Sequence, residues 1–316
     1  MRWYLKAIVQ KAIGIVPFGT QLNYFFQKNI TKRVILNDWF FDDILTHYIR
    51  FKKLLNENTS ISSFDNIAFL ELGTGWHPIM PLLFSLENAK EVCSADLNFH
   101  VRKENLLRLI SFFENRIQQQ FFSKNNININ ENKWQLLMKI KSELQKSSSP
   151  SLIKLNNLFS EMNITFYNGD AAKLSFDNKS FDVCFSINTL EHIYQPMLQN
   201  ILQNYAHHTN QNGYHLHVID MNDHFSHIDS SITKYNYLQF SNEQWKLIDN
   251  NLQPQNRLRI TDFENIFLKI DLKIIKEVSM PAEMESFNSI ILHQDFKKYN
   301  AERCAIPNTT MLLQKA

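Results

Sequence analysis

Glycine is scarce in this sequence, with six residues in 316. Where so little is spent, each glycine marks a place where the backbone needs a left-handed turn or a close approach, and two stand together at Gly73 and Gly75. Cysteine is scarcer still. Cys93, Cys184 and Cys304 are odd in number, widely spaced and set in apolar surroundings, which argues against a disulfide framework or a cysteine-built zinc site and for reduced thiols in a cytoplasmic protein. Charge of one sign is also lacking: 33 Lys and Arg face 31 Asp and Glu. Without a basic excess, nucleic acid is not expected as a partner.

Long apolar runs are missing as well. The stretch Ala7 to Phe18 is interrupted by Gln10 and Lys11, is too short to span a bilayer, and is followed by no small-residue cleavage site, so no integral membrane segment is expected. Trp3, Tyr4, Ala7, Ile8, Ala12, Ile15 and Val16 recur at helical spacing, which predicts a helix packed on its own domain, with peripheral membrane contact as the sharper alternative. What is present is apolar content, 44%, enough for a substantial core.

The informative stretch is Ile67 to Pro78. An apolar run of strand length carries Glu71 near its end and is followed by Gly73-Thr74-Gly75, as a buried strand does when it turns sharply beneath a ligand. A helix is expected from Pro78 to Leu86, with Pro78 and Pro81 tolerated in its first turn. A second strand, Glu91 to Asp96, ends in a carboxylate about twenty residues beyond the glycines, where a doubly wound fold places the acid that accepts hydrogen bonds from ribose hydroxyls.

Further strands read at Ile164 to Asn168, Phe181 to Ile187, Tyr214 to Ile219, Leu272 to Val278 and Thr309 to Gln314, with a helix at Gln199 to His207 and a turn at Asn212-Gly213. The fold class is therefore α/β: a doubly wound, mostly parallel seven-stranded sheet with helices on both faces. Residues 1–60 form an N-terminal helical region, and 61–316 the main domain. Within it, about 100–162 is a helical insertion, with helices at Val101 to Gln120, Trp134 to Gln145 and Leu152 to Met162, read as a cap in the position of a lid.

Glu71-x-Gly73-x-Gly75, Asp96, Gly169-Asp170-Ala171, and Phe181-Asp182-Val183 leading through Asn188 to Leu190-Glu191-His192 occur in that order after successive strands. This set resembles the class I S-adenosylmethionine-dependent methyltransferases with their Rossmann-like fold, and within them the branch with a Leu-Glu-His motif after strand four. The resemblance implies S-adenosylmethionine as cofactor. It places the backbone of Gly73, Thr74 and Gly75 beneath the methionine part, with Glu71 ordering that loop and Asp96 on the ribose hydroxyls. Asp170 and Ala171 would border the adenine, and Asn188 would lie near the amino acid end. A dinucleotide site would need a third glycine where Pro78 stands.

Seven histidines lie between His192 and His227, and the expected acceptor base is His224 or His192. The segment Asp223 to Arg259, rich in aromatic residues, reads as an acceptor pocket or a cover for the sheet, with Arg257 and Arg259 hinting at an anionic acceptor. No metal is expected, because strand alternation directs His217 and Asp220 to opposite faces. A small-molecule or glycan oxygen is the expected acceptor. A metal-dependent O-methyltransferase and a non-catalytic cofactor-binding scaffold are the alternatives.

Overall fold

A computed structural model describes residues 2–15, 34–251 and 253–316. Seven strands form one sheet: β1 (Ala68–Leu72), β2 (Glu91–Asp96), β3 (Ile164–Asn168), β4 (Phe181–Ile187), β5 (Thr209–Asp220), β6 (Leu272–Ser279) and β7 (Asn308–Lys315). Their order is β3-β2-β1-β4-β5-β7-β6, mostly parallel with one antiparallel hairpin at the edge. The order reverses between β1 and β4, which pair in parallel with Phe69 beside Val183 and Glu71 beside Phe185. In doubly wound sheets a ligand crevice opens at the carboxyl ends of such a pair. The doubly wound, mostly parallel seven-stranded sheet expected from the sequence is the sheet observed.

The strands are legible because β1 and β4 are short apolar runs covered on both faces, as parallel strands flanked by helices must be. All five residues of β1 are buried. Phe69 stacks on Phe84 at 3.9 Å between ring centroids, and Phe64 and Phe185 meet Phe84 edge-on at 5.2 Å. Such pairs add roughly 0.5–1.5 kcal/mol each beyond the area they bury. Phe84 belongs to α3 (Ile79–Leu86), a helix with every residue buried. It follows α1 (Trp3–Ile15) and α2 (Asp38–Asn58) in the chain.

By its internal contacts the chain divides into two compact units. One comprises 35–187, 201–216 and 312–316, the other 1–34, 188–200 and 217–311. In the first unit the insertion between β2 and β3 holds α4 (Lys103–Gln118), α5 (Phe121–Lys124), α6 (Glu131–Lys146) and α7 (Leu152–Phe159). These helices are fastened to α2 and α3 instead of standing clear of them. Phe113 of α4 meets Phe41 of α2 edge-on at 5.3 Å. Arg116 donates to Asp38 and Asp42, each at 2.9 Å. Glu87, just beyond α3, accepts from Tyr48 at 2.6 Å and from the Asn128 backbone at 2.7 Å. Opening the insertion as a lid would break the contacts of Phe113, Arg116 and Asn128 at once.

One local expectation fails. The helix before β5 is α8 (Gln195–His208), with Pro196 in its first turn, and it runs straight into β5 at Thr209. The Asn212-Gly213 pair falls inside the span of β5, and the chain does turn there, since Gly213 comes back against Thr209 and Asn210. Asn212 has φ +62° within β5, and a Cβ on Gly213 would come within 2.7 Å of Thr209 Cγ2 and 3.0 Å of the Asp182 carbonyl. Crowding, more than turn chemistry, requires that glycine.

In the second unit α1 lays Trp3 and Ala7 against an aromatic cluster that includes Phe225, Tyr237 and Trp245. Lys11 donates to the carbonyls of Lys246 and Leu247 at 2.7 and 2.8 Å, at the C-terminal end of α9 (Asn242–Ile248), where the helix dipole favours a cation. Tyr4, Leu5, Ile8 and Val9 of α1 are exposed. Val16 and Phe18, the rest of the apolar stretch, lie outside the described residues. Among the described residues no helix is long and apolar enough to cross a membrane. The remaining helices are α10 (Ile260–Lys269), α11 (Met284–Asn288) and α12 (Ala301–Cys304).

Candidate active site

The turn after β1 is built from hydrogen bonds that start inside the sheet. The Gly73 N–H donates to the Ala95 carbonyl at 2.8 Å, extending the pairing of β1 with β2 by one step. Gly73 and Gly75 then take φ of +93° and +61°, values that other residues adopt at a cost of roughly 1–2 kcal/mol. Asp96, at the tip of β2, accepts the Gly75 N–H at 2.9 Å and the Asn98 N–H at 3.1 Å, so its carboxylate closes the glycine turn. A Cβ on Gly75 would meet nothing within 4 Å. Packing does not demand glycine there, and the space beside the backbone is open.

Beneath the turn, Glu71 is 6% exposed. Its carboxylate accepts from the Ser94 hydroxyl, and that hydroxyl lies 2.6 Å from the Thr74 hydroxyl. The chain Thr74–Ser94–Glu71 thus pins the centre of the loop to the floor of the sheet. Burial pushes the Glu71 carboxyl up to about 8; the Ser94 hydrogen bond pulls it down and the Asp96 charge adds to the rise. Ser94 had no signal in the sequence beyond its place in a strand.

This carboxyl leaves a pH signature. Its pKa of about 8 in the fold exceeds the ordinary carboxyl value of 4.5, so between these values the folded chain binds more protons than the unfolded one, and stability falls as pH rises. The loss is complete above about 8 and absent below about 4.5. Glu71→Gln is expected to flatten the fall by up to about 1.4 kcal/mol per pH unit, measured as urea midpoints across that window. An unchanged slope would show that Glu71 is ionised in the fold.

The loop after β3 joins the same tips. The Gly169 N–H donates to the Asp96 carbonyl at 3.0 Å, and the Asn168 side chain donates to the Leu97 carbonyl at 2.8 Å. Asp170 caps the turn that follows, accepting the Ala172 N–H at 3.1 Å. Its carboxyl is held below the usual range by that bond and by Lys173. Ala171 is buried, and its carbonyl accepts from Asn204 at 2.9 Å. Glu71, Gly73, Thr74, Gly75, Asp96, Asp170 and Ala171 are thus gathered in the first unit around three adjacent strand tips. The open space at Gly75, the half-buried Asp96 carboxylate and the loop fastened through Thr74 fit a nucleoside with an attached amino acid.

Asn188, His192 and His224 belong to the second unit. Asn188 takes φ +48°, and its N–H donates to the Val218 carbonyl at 3.0 Å. Leu190-Glu191-His192 form a single 3₁₀ turn. Asn256 clamps it: its N–H donates to the Glu191 carbonyl at 2.9 Å and its side chain to the Leu190 and Ile193 carbonyls at 2.8 Å. His192 Nδ1 lies 2.7 Å from the Pro254 carbonyl. His224 Nε2 lies 3.3 Å from Asp220 Oδ2, and the His192 and His224 rings are 4.9 Å apart. Burial raises Asp220, but hydrogen bonding to His224 and the charges near it outweigh burial and leave that carboxyl below its ordinary value. Glu191, quoted in the sequence only as part of a motif, is 2% exposed, and burial followed by repulsion from Asp220 drives its carboxyl well upward.

Several expectations about this region are corrected. Asp220, His224 and His227 offer donor atoms within 4.8 Å of one another, as do Glu191, His192 and His224. Strand alternation did not prevent this, since the chain leaves β5 at Asp220. His215 and His217 stand apart from both groups: His215 meets the Thr209 hydroxyl at 2.8 Å, and His217 stacks on Phe267 at 5.5 Å. Arg257 and Arg259 are not aimed at an anion. Arg257 is 4% exposed, donates to the Tyr237 and Phe240 carbonyls at 2.9 and 2.7 Å, and lies over the rings of Trp245 and Phe296. Arg259 is fully buried among carbonyls.

Residues 147–213 match the model of a family described as a methyltransferase domain. Among solved structures, an S-adenosylmethionine-dependent methyltransferase from Clostridium acetobutylicum is 13% identical, with 94% of this chain and 98% of that one covered and a TM-score of 0.45. One from Mesorhizobium loti is 10% identical, with 80% and 93% covered and a TM-score of 0.42. The [4+2]-cyclase SpnF is 11% identical, with 84% and 81% covered and a TM-score of 0.43. No curated protein matches the sequence. The segment similar to a methyltransferase domain, residues 147–213, takes in β3, β4 and the start of β5.

Proposed function

We propose that the chain is an S-adenosylmethionine-dependent methyltransferase that acts on an oxygen of a small molecule or glycan. The observation that carries the reading is the His224–Asp220 pair at 3.3 Å with His192 beside it, because a hydroxyl acceptor must lose a proton and an imidazole oriented by a carboxylate takes one near neutral pH. When bound, S-adenosylmethionine supplies a methyl group on a sulfonium that is already activated. The chain's own part is to bind, to align and to take the proton. In this reading the Gly73–Gly75 backbone runs beneath the methionine part, held by Glu71 through Ser94 and Thr74. Asp96 accepts from the ribose hydroxyls, Asp170 and Ala171 border the adenine, and Asn188 lies near the amino acid end. His224 takes the acceptor's proton, with His192 as its neighbour.

The test is transfer of labelled methyl groups from S-adenosylmethionine into a fractionated cell extract. Label is expected in the small-molecule or glycan fraction. His224→Gln is expected to lower kcat by roughly 10²–10⁴ while binding of S-adenosylhomocysteine stays within about twofold. Label in nucleic acid or protein would overturn the acceptor class. Cofactor binding with no label anywhere would favour the scaffold alternative.

A further inference from the structure

We propose that the outward face of α1 binds a membrane surface rich in anionic lipids. At about 3.6 residues per turn, Tyr4, Leu5, Ile8, Val9 and Ala12 share one side of the helix, an arc of roughly 140°. All five are exposed, Ile8 at 64%. The opposite side is already used. Trp3 and Ala7 pack on the aromatic cluster that includes Phe225 and Trp245, with the Trp3 ring 5.8 Å from Phe225 and 5.7 Å from Phe240, and Ile13 is buried. A helix docked by one apolar stripe ordinarily turns polar residues to water. This helix turns a second apolar stripe there, which packing within the chain does not require and which marks an interaction surface.

Charge identifies the occupant. On the same helical projection Lys11 and Lys6 flank the stripe on its two sides, and α1 has no acid in its first turn. In the sequence the first carboxylate is Asp38, and ahead of it stand Arg2, Lys6, Lys11, Lys28, Lys32 and Arg33. Asp229 lies 4.0 Å from Arg2. Lys11 is held by the carbonyls of Lys246 and Leu247 and not by a carboxylate, and Lys6 lies over the Phe225 ring at 5.6 Å. Apolar side chains between lysines, whose stems follow the apolar surface while their ammonium groups stay at its rim, match the boundary between acyl chains and anionic headgroups. Tyr4 suits the same depth, with an apolar ring and a wet hydroxyl. A second copy of the chain fits less well, because pairing two such stripes sets one lysine border against another.

None of these residues belongs to the cofactor turn or to the histidine group, so the surface stands whatever the chain transfers.

The test is co-sedimentation of the full chain with vesicles of phosphatidylcholine alone and of an equal mixture of phosphatidylcholine and phosphatidylglycerol. Binding to the mixed vesicles is expected to be at least about tenfold tighter, since each basic side chain near an anionic surface is worth about fivefold. It should weaken several-fold as salt rises from about 0.1 M to about 1 M, where the screening length falls to ~3 Å. Ile8→Glu and Val9→Glu are each expected to weaken it at least about tenfold with Tm unchanged, because both positions are exposed. Leu268→Glu, at a position of α10 that is 73% exposed, leaves it unchanged. Equal binding to the two kinds of vesicle, or binding of folded Ile8→Glu as tight as that of wild type, would overturn the proposal. So would a dimer in sedimentation velocity that Ile8→Glu dissociates, with wild type left in the supernatant by both vesicles; that result would assign the stripe to a second copy.

Discussion

Arg259→Met is expected to cost about 3–5 kcal/mol, because several buried carbonyls lose their donor together, and at that size to unfold much of the protein at 37 °C. Arg259 is fully buried, and all four of its partners are neutral. Nε donates to the Cys304 carbonyl at 2.8 Å, Nη1 to the Met221 carbonyl and the Tyr237 hydroxyl at 2.7 Å, and Nη2 to the Ile306 carbonyl at 2.7 Å. Methionine fills a similar volume but offers no donor, so three carbonyls from separate parts of the chain would stay buried with fewer partners, at roughly 1–3 kcal/mol for each one orphaned. Lysine restores the charge without the planar fork and is expected to recover only a small part. Urea unfolding of the three proteins measures this, and a loss below about 1 kcal/mol would mean the guanidinium is dispensable. Met221 is the first residue after β5, and its N–H donates to the Pro307 carbonyl at 2.8 Å. Arg259 therefore also anchors the segment that carries His224.

The second large effect is on the cofactor. Asp96→Ala is expected to weaken S-adenosylhomocysteine binding about 100-fold or more, because two hydrogen bonds from ribose hydroxyls to a carboxylate are worth roughly 1.5–3 kcal/mol each. It also frees the Gly75 N–H, now held at 2.9 Å by that carboxylate, so the turn loosens at the place where the backbone must pass closest to the ligand. Stability should fall by only about 1 kcal/mol, since the N–H groups it releases can reach water. Asp96→Asn should fall between wild type and alanine, because its amide keeps one acceptor and loses the charge. Calorimetry gives the affinities, and labelled-methyl transfer should fall in parallel at limiting cofactor. Affinity within about threefold of wild type would remove Asp96 from the ribose.

The framework of the molecule could be read from its sequence, and the physical reason is local. β1, β2, β3 and β4 are short runs bounded by polar or turn residues, and the observed limits of β2, β3 and β4 are the expected ones. Carboxylates and glycines at their tips stand out because apolar strands leave few other groups there. β5 was harder. Its span from Thr209 takes in the Asn212-Gly213 turn, where Gly213 lies against Thr209 and the Asp182 carbonyl, so the strand begins before the turn that was read as preceding it.

The second unit was less legible for the same reason. Arg257 and Arg259 look like surface residues until the carbonyls of Tyr237, Phe240, Cys304 and Ile306 close around them. The histidine-rich stretch read as one cluster but divides by contact. His215 and His217 serve the core, whereas His192, His224 and His227 come together through the turn that Asn256 fastens. Nothing near Asn256 in the sequence announces that role.

In the reading proposed above, the turn from Glu71 to Gly75, closed by Asp96, holds S-adenosylmethionine. Titrating the full wild-type chain with S-adenosylhomocysteine and, in a parallel cell, with NAD tests it most directly. Saturable binding of the first and no heat from the second are expected; NAD binding, or no binding of S-adenosylhomocysteine to folded protein, would rule out a cofactor site at this turn.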